Sequence, residues 1–165
     1  AMMDLGAVIC LPKNPRCLLC PLRVDCRAQK LGVQEARPVL KPKMEVPHVV
    51  HATAVILRRG RVLLAKRPSS GLLGGMWEFP NGRVNDDPTR GLAKAVKTGY
   101  GLKVRAGEAL VIVQHAYSHF RVTVHAFRAE LVSIPKKENL KWIRLSELED
   151  YPMGRIDRQI ARKLG

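Results

Sequence analysis

The four cysteines of the chain lie within its first 26 residues, and their spacing is the pattern that carries the most chemistry. They are Cys10, Cys17, Cys20 and Cys26, spaced C-x6-C-x2-C-x5-C. Four thiolates brought together by a short loop can hold a tetrahedral Zn²⁺ or an iron–sulfur cluster. Structural zinc sites more often use two separate C-x2-C pairs, and here only Cys17 and Cys20 form one. A disulfide framework suits small secreted chains, and nothing in this chain is typical of a signal peptide.

The segment ICLPKNPRCLLCPLRVDCRA resembles the [4Fe–4S] loop that closes the helix-hairpin-helix DNA glycosylases. The preceding run AMMDLGA strengthens the resemblance to the adenine-specific, MutY-type branch of that family. The resemblance implies that the four cysteines hold a [4Fe–4S] cluster in a structural role, since metal binding supplies folding free energy to short segments. It also implies that the loop contacts the DNA backbone, and we expect Lys13 and Arg16 to make those contacts.

The charge balance of the whole chain points in the same direction. Lysine and arginine number 29 against 14 aspartate and glutamate, which gives a formal net charge of +15. Such an excess favours a polyanionic partner, of which nucleic acid is the commonest, although charge alone does not separate DNA from RNA or from an anionic membrane surface. No apolar run approaches the roughly 20 residues of a membrane helix. We therefore expect a cytoplasmic, nucleoid-associated protein with no membrane partner.

The elements around the cysteines predict a fragment of a longer protein. Ala1 to Leu5 is helical in pattern but has no capping residue before it, so we expect the chain to begin inside a helix. Residues 1–32 are then the end of a helical glycosylase domain with its cluster loop. Residues 33–47 lose all periodicity and are rich in proline, which predicts an extended linker. Lys41 and Lys43 make this linker basic enough to lie along a DNA strand, and both are candidate DNA-binding residues.

Residues 48–165 read as one further domain in which strands are interrupted by a helix and closed by another, a layered α/β pattern. Ala52–Leu57 and Val62–Ala65 predict a hairpin. A helix capped by Thr89 should carry an apolar face and end at Gly99 or Gly101. The remaining predicted elements are strands 109–115, 122–131 and 140–144, a short turn from Ser146, and a final helix 156–164.

Within this domain, a glycine-rich loop, the run WEFPNG, the helix and Gly101-Leu102 resemble the Nudix (MutT-like) fold. In that family the helix carries an arginine and three glutamates, and the glutamates hold Mg²⁺ against a pyrophosphate. The corresponding arginine position is Lys94 here, and the glutamate positions are Ala95, Thr98 and Gly99. Mg²⁺ requires oxygen ligands, and the nearby acids Asp86 and Asp87 both precede the helix. The resemblance therefore implies a Nudix scaffold without its catalytic site.

The two resemblances together imply the fold class and the domain order. The expected fold is α+β: a Nudix-like α/β/α sandwich with a mixed sheet, preceded by an iron–sulfur loop fragment of an all-α helix-hairpin-helix domain. MutY-type proteins carry such a C-terminal domain, which recognises 8-oxoguanine instead of hydrolysing nucleotides. The order of cluster loop, linker and inactive Nudix-like domain is more specific than either motif alone.

A short polar segment, Tyr117-Ser118-His119, lies where the MutY-type family has a Phe-Ser-His loop that probes the lesion. We call these three residues the reading loop. A hydroxyl both donates and accepts, so Ser118 can meet the N7–H or O8 that distinguishes 8-oxoguanine from guanine. Tyr117 could wedge against the base stack, and His119 could reach a phosphate or a base edge. The tyrosine departs from the family pattern and leaves the depth of any wedge open.

The catalytic carboxylates of the glycosylase family lie upstream of the cysteine loop, and Asp4 is too close to Cys10 to be one of them. We therefore expect no catalytic residue in this chain and no base excision by it alone. The favoured interpretation is the lesion-recognition fragment of an adenine DNA glycosylase, a monomer that binds duplex DNA containing 8-oxoguanine:A or G:A mispairs in base-excision repair. The alternatives are a Nudix pyrophosphohydrolase with an N-terminal zinc module, and a basic nucleic-acid binder without lesion preference.

Overall fold

The chain divides into two compact units, Ala1–Glu45 and Val46–Gly165. The computed structural model describes residues 2–39, 45–135 and 138–164. Lys41 and Lys43, two of the predicted DNA-binding residues, lie outside the described residues. The division between the units falls within the predicted linker of residues 33–47, and the functional assignment of each predicted domain stays a prediction.

The first unit consists of short helical segments joined by turns. These are helix α1 (Met2–Val8), the 3₁₀ turns Cys17–Leu19 and Arg23–Asp25, helix α2 (Arg27–Lys30) and the 3₁₀ turn Gln34–Ala36. None of these segments contains a buried residue, and the side chains of Leu18 and Val24 are 77% and 78% exposed. Helices this short are marginal by themselves in water. The described part of this unit therefore has little apolar burial to hold its loop together.

The second unit contains eight strands and two α-helices in its described residues. The strands are β1 (His48–Val55), β2 (Leu57–Arg58), β3 (Arg61–Lys66), β4 (Trp77–Glu78), β5 (Asn81–Val84), β6 (Lys103–Ala116), β7 (Arg121–Ser133) and β8 (Leu140–Arg144). The helices are α3 (Pro88–Tyr100) and α4 (Arg155–Ala161), with a 3₁₀ turn at Leu145–Asp150. No helix among the described residues is long and apolar enough to cross a lipid bilayer.

The strands form two four-stranded sheets. The first has the order β5-β1-β7-β6, with β1 and β7 parallel and the other pairs antiparallel. The second has β3 between β8 and β4, with β2 also pairing with β3. The predicted mixed sheet is therefore confirmed.

Two apolar clusters pack on opposite sides of the strands, which produces the layered sandwich. In β3 the side chains alternate between them: Val62 and Leu64 belong to one cluster and Leu63 to the other. The cluster with Leu63 includes Leu92 and Val96 from α3, and the other includes Ile160 from α4. A strand buried on both faces reads as a continuous apolar run, which is why VLLA stands unbroken in the sequence.

Helix α3 begins and ends on local signals, with one correction. The predicted cap Thr89 is wrong: Asp87 is the N-cap, its carboxylate accepts from the backbone N–H of Arg90 at 2.9 Å, and Pro88 fills the first turn. Proline suits the first helical position because its fixed φ is preorganised and its missing N–H would be unpaired there. The helix ends at Gly101, one of the two predicted positions, and the φ of +74° at this residue lies in the left-handed region that glycine tolerates.

The predicted hairpin of Ala52–Leu57 with Val62–Ala65 is wrong in its pairing. β1 lies in the first sheet between β5 and β7, and only the two residues of β2 pair with β3. The chain crosses between the sheets near Ile56, whose carbonyl accepts from the N–H of Leu63 at 3.0 Å. Local pattern identified both strands but could not assign them to different sheets.

Candidate nucleic-acid interface

The reading loop is the tight turn that joins β6 to β7. The backbone N–H of Tyr117 donates to the carbonyl of Phe120 at 2.8 Å and closes the turn. Ser118 and His119 are exposed at its tip, and Ser118 Oγ lies 3.0 Å from His119 Nδ1, within hydrogen-bonding distance. The two strands hold this polar pair in solvent, where a nucleobase or a phosphate could reach it.

Tyr117 differs from its two neighbours because its ring is held within the domain. It stacks on Phe120 at a centroid distance of 4.6 Å and meets the edge of His115 at 4.6 Å. Burial raises the pKa of Tyr117, so the phenol stays protonated at neutral pH. The predicted wedge role of Tyr117 stays a prediction, and it would require the ring to leave this stack. Sequence reasoning missed Phe120, although its aromatic type next to the loop was a signal.

A buried carboxylate, Glu78, organises the floor of the cavity behind the reading loop. It is 5% exposed and pairs with the guanidinium of Arg67. The hydroxyl of Tyr100 donates to Glu78 Oε1 at 2.8 Å, and the amide of Asn81 donates to Oε2 at 2.9 Å. Burial and the neighbouring Glu78 raise the pKa of Tyr100 above its usual range, which keeps it a donor. A buried carboxylate is stable where its charge is paired and its oxygens are hydrogen-bonded.

A second carboxylate, Asp157 of α4, enters the same cavity and accepts from the backbone N–H of Phe79 at 3.0 Å. Burial raises its pKa to about 7; the bond from Phe79 opposes that shift and the charge of Glu78 adds to it. The cavity measures about 330 Å³ and is also lined by Tyr117 and Phe120. The reading loop therefore rests on a polar cavity that sequence reasoning did not identify, and no local signal marked Asp157.

The raised pKa of Asp157 predicts a pH dependence of stability. An aspartate has a pKa of about 3.9 when unfolded, so between roughly pH 4 and pH 7 the folded state binds more protons than the unfolded state. The contribution of this carboxyl to stability is then complete below about pH 4 and is lost as the pH rises through 7. Denaturant unfolding from pH 4 to 8 should show this loss in the native protein and not in Asp157→Asn, which keeps an acceptor for the Phe79 N–H. Equal pH profiles would contradict the assignment.

All four cysteines of the first unit line one cavity of about 270 Å³. Cys10 is exposed and the other three are partly buried. Gln34 lines the same cavity, and its side-chain oxygen is buried without a hydrogen-bond partner among the described residues. Within residues 2–39, 45–135 and 138–164, no three His, Cys, Asp or Glu side chains are grouped so that they could hold a single metal ion. Four thiols that line one cavity are the kind of donor set by which iron–sulfur clusters are held.

The predicted phosphate contacts of the cysteine loop are accessible. Lys13 and Arg16 are exposed between Cys10 and Cys17, and neither side chain makes a hydrogen bond or ion pair with another described residue. Two of the other histidines have hydrogen-bonding neighbours within the domain: His48 Nε2 lies 2.9 Å from Thr123 Oγ1, and His51 Nδ1 lies 3.1 Å from Asn81 Oδ1.

The helix positions that a Nudix hydrolase would use for catalysis face one groove of this domain. Lys94, Ala95, Thr98 and Gly99 all line a cavity of about 820 Å³ between β5 and α3. None of these four residues is a carboxylate. Asp86 and Asp87 line its edge, but the carboxylate of Asp87 caps the helix. The carboxylate ligands through which Mg²⁺ is usually bound are therefore missing from the helix.

Comparison with known proteins gives one family match and two kinds of relative. The NUDIX domain model matches residues 52–163. The chain is 26% identical to an adenine DNA glycosylase of Schizosaccharomyces pombe, over 93% of this chain and 44% of that protein. It is 27% identical to an Escherichia coli CTP pyrophosphohydrolase, over 63% of this chain and 82% of that protein.

Among solved structures, the chain is similar to the C-terminal domain of mouse MUTYH, which was solved in complex with human PCNA. That similarity has a TM-score of 0.55 at 24% identity and covers 70% of this chain and 86% of the mouse domain. At this identity the likeness supports the fold alone. The predicted resemblance to adenine DNA glycosylases and to the Nudix fold is confirmed, and the chain spans less than half the length of the yeast glycosylase.

Proposed function

Because the chain belongs to the NUDIX domain family, and because its similarity to an adenine DNA glycosylase extends over 93% of its length, we propose that it is the lesion-recognition part of such a glycosylase. The proposed substrate is duplex DNA in which adenine is mispaired with 8-oxoguanine or guanine, and the process is base-excision repair. The observation that carries the proposal is the extent of this similarity, which reaches well beyond the NUDIX match of residues 52–163. Similarity to the pyrophosphohydrolase covers only 63% of the chain.

In the proposed mechanism, Ser118 senses the lesion. Its hydroxyl is exposed at the tip of the reading loop and lies 3.0 Å from His119 Nδ1. The N7–H of 8-oxoguanine is a donor where guanine has an acceptor, and a hydroxyl can accept from the first or donate to O8. The short turn between two long strands fixes where this hydroxyl points, because its backbone is closed by the Tyr117–Phe120 hydrogen bond.

We propose that the affinity for DNA comes mainly from cationic side chains whose contacts to phosphates do not depend on the base sequence. Lys13 and Arg16 are exposed on the cysteine loop, and Lys41 and Lys43 belong to the same proposed set. Contacts to phosphates release counterions, so their contribution weakens as salt rises. We propose that the chain works as a monomer in the cytoplasm, associated with the nucleoid.

The proposed cofactor of the first unit is a [4Fe–4S] cluster held by Cys10, Cys17, Cys20 and Cys26. Its chemistry there is structural: thiolate–iron bonds supply the folding free energy that the apolar residues of this unit do not. The protein's contribution is to hold four thiolates around one space and to present Lys13 and Arg16 beside it.

Ser118→Ala tests the proposed function directly. In the glycosylase that contains this chain, the preference for 8-oxoguanine:A over G:A should fall by about 5- to 150-fold, since a good base-edge contact is worth about 1–3 kcal/mol of discrimination. Duplex binding, measured by fluorescence anisotropy, should keep its dependence on salt. The control Lys13→Ala should weaken binding to both duplexes alike and reduce the salt slope. A preference that survives Ser118→Ala, Tyr117→Ala and His119→Ala would place lesion recognition elsewhere.

Nucleotide hydrolysis is the second candidate function, because the chain is similar to a CTP pyrophosphohydrolase. We propose that this chain lacks that activity, and that it also excises no base by itself. With Ala95, Thr98 and Gly99 where glutamates would be needed, Mg²⁺-dependent turnover of CTP and 8-oxo-dGTP should equal a buffer control in a pyrophosphate-release assay. Turnover that disappears in Asp86→Asn would show that the metal site has been rebuilt in the loop before α3.

A further inference from the structure

The groove between strand β5 and helix α3 is lined by several cationic side chains. It is the groove that Lys94, Ala95, Thr98 and Gly99 also line. Arg83 lines it from β5, and Arg90 and Lys94 line it from α3. All three side chains are exposed, and none makes a hydrogen bond or ion pair with another described residue. Three unpaired cations therefore border the cavity in which Nudix hydrolases hold metal and pyrophosphate.

Two cations and one hydroxyl on the helix form a row. Arg90, Lys94 and Thr98 are four residues apart, so they lie on one face of α3 with a rise of about 6 Å between successive positions. The row from Arg90 to Thr98 therefore extends along roughly 12 Å of the helix axis. Donors repeated along such a length suit several consecutive phosphates better than the two adjacent phosphates of one nucleotide.

The floor of the groove is made of small residues. A Cβ added to Gly82 would lie 2.9 Å from the Cβ of Ala95, and one added to Gly91 would lie 2.7 Å from a methyl carbon of Val84. Helix and strand thus pack so closely that larger side chains are excluded between them. β5 is also an edge of its sheet, and an edge strand directs part of its backbone N–H groups away from its neighbour. The groove is therefore open and rimmed by cations.

The acids at this groove lie at one end of it. Asp87 is the N-cap of α3, and its carboxylate accepts from the backbone N–H of Arg90. Asp86 is exposed in the same loop. The body of the helix presents Lys94 and Thr98 instead, a cation and a hydroxyl donor. Phosphate oxygens accept from such groups without any metal ion between them.

We propose that this groove binds the phosphates of a nucleic-acid strand directly, with Arg83, Arg90 and Lys94 in the place that a Nudix hydrolase gives to its metal ions. The inference rests on the proposed function in one respect: it takes DNA as the strand. The chain then has a second phosphate-binding surface in addition to the cysteine loop, within the domain that carries the reading loop.

The test removes two charges from the groove and compares that loss with the same loss elsewhere. The variant is Arg90→Gln with Lys94→Gln, and the control is Arg162→Gln with Lys163→Gln, two exposed cations at the end of α4. Fluorescence anisotropy measures binding of the full 165-residue chain to a duplex with a central 8-oxoguanine:A pair and to a matched G:C duplex, across a range of KCl. Circular dichroism and thermal melting verify that each variant is folded.

The groove variant should weaken binding to both duplexes alike and reduce the log–log salt slope by about 0.9 per lost contact, hence by about 2 for the pair. The control should change the slope by less than half of that amount. If the salt slope changed equally in the control, the effect would come from the lower net charge of the chain and not from the groove, and the proposal would be overturned. If the salt slope were unchanged in the groove variant and the lesion preference were intact, the groove would not be a phosphate-binding surface. The proposed function would still stand. No DNA binding by the unaltered chain would overturn both.

A second measurement separates a nucleic-acid strand from a free nucleotide. Titration calorimetry with inorganic pyrophosphate, without metal, should show no saturable binding to the unaltered chain. Saturable binding that is lost in the groove variant, while the salt slope on DNA stays unchanged, would assign the groove to nucleotide phosphates and overturn its role in holding a strand.

Discussion

Replacing Cys17 by alanine is expected to abolish iron incorporation into the chain. The native protein, produced anaerobically with iron, should contain four irons per chain and a broad visible charge-transfer absorption. Cys17 is one of four thiols that line a cavity of about 270 Å³. The loss of one thiolate would leave one iron of the cluster without its protein ligand and open to oxidation. Cys20→Ala should have the same effect. Metal analysis and visible absorption measure the result.

Leu18→Ala is the matched control for this loss. Leu18 lies in the same 3₁₀ turn as Cys17, and it is 77% exposed, so its truncation removes no ligand and little packing. Iron content should therefore be unchanged in Leu18→Ala. If the native chain instead bound one zinc per chain and stayed colourless under the same anaerobic conditions, the cluster proposal would be wrong and the zinc alternative would replace it.

Replacing Arg67 by alanine is expected to destabilise the second unit by about 3 kcal/mol, the lower end of the cost of removing one partner of a buried ion pair, because the Arg67 side chain is 30% exposed while Glu78 is buried. Glu78 is 5% exposed, and in the variant only neutral donors from Tyr100 and Asn81 would remain beside it. The free energy of unfolding, measured by urea titration at pH 7, should show this loss.

Arg105→Ala provides the comparison for an exposed pair. The Nη1 atom of Arg105 lies 2.9 Å from Oε2 of Glu130, and the two side chains are 75% and 69% exposed. Exposed ion pairs contribute about 0–1 kcal/mol, so this variant should unfold almost like the native protein. Similar losses in Arg67→Ala and Arg105→Ala would mean that Glu78 does not depend on its cation for stability.

The features that the sequence by itself determined are local ones. The spacing of the four cysteines places them in one short loop, and the structure has them around one cavity. The C-terminal end of α3 at Gly101 depends on a single residue that tolerates a positive φ. The absence of glutamates at Ala95, Thr98 and Gly99 can be read from the sequence once its resemblance to the Nudix motif aligns these positions with the glutamates of that family. Each of these depends on residues only a few positions apart.

The tertiary structure decided the features that join distant parts of the chain. Glu78 and Tyr100 are 22 residues apart, and Asp157 reaches Phe79 across 78 residues, so no local pattern could bring them together. The same holds for β1 and β3, which are only a few residues apart in sequence but belong to different sheets. Tyr117 looks like an exposed member of a polar loop, yet its ring packs on Phe120 and His115. Sheet pairing and side-chain packing are set by which surfaces can be buried together, and that depends on the whole fold.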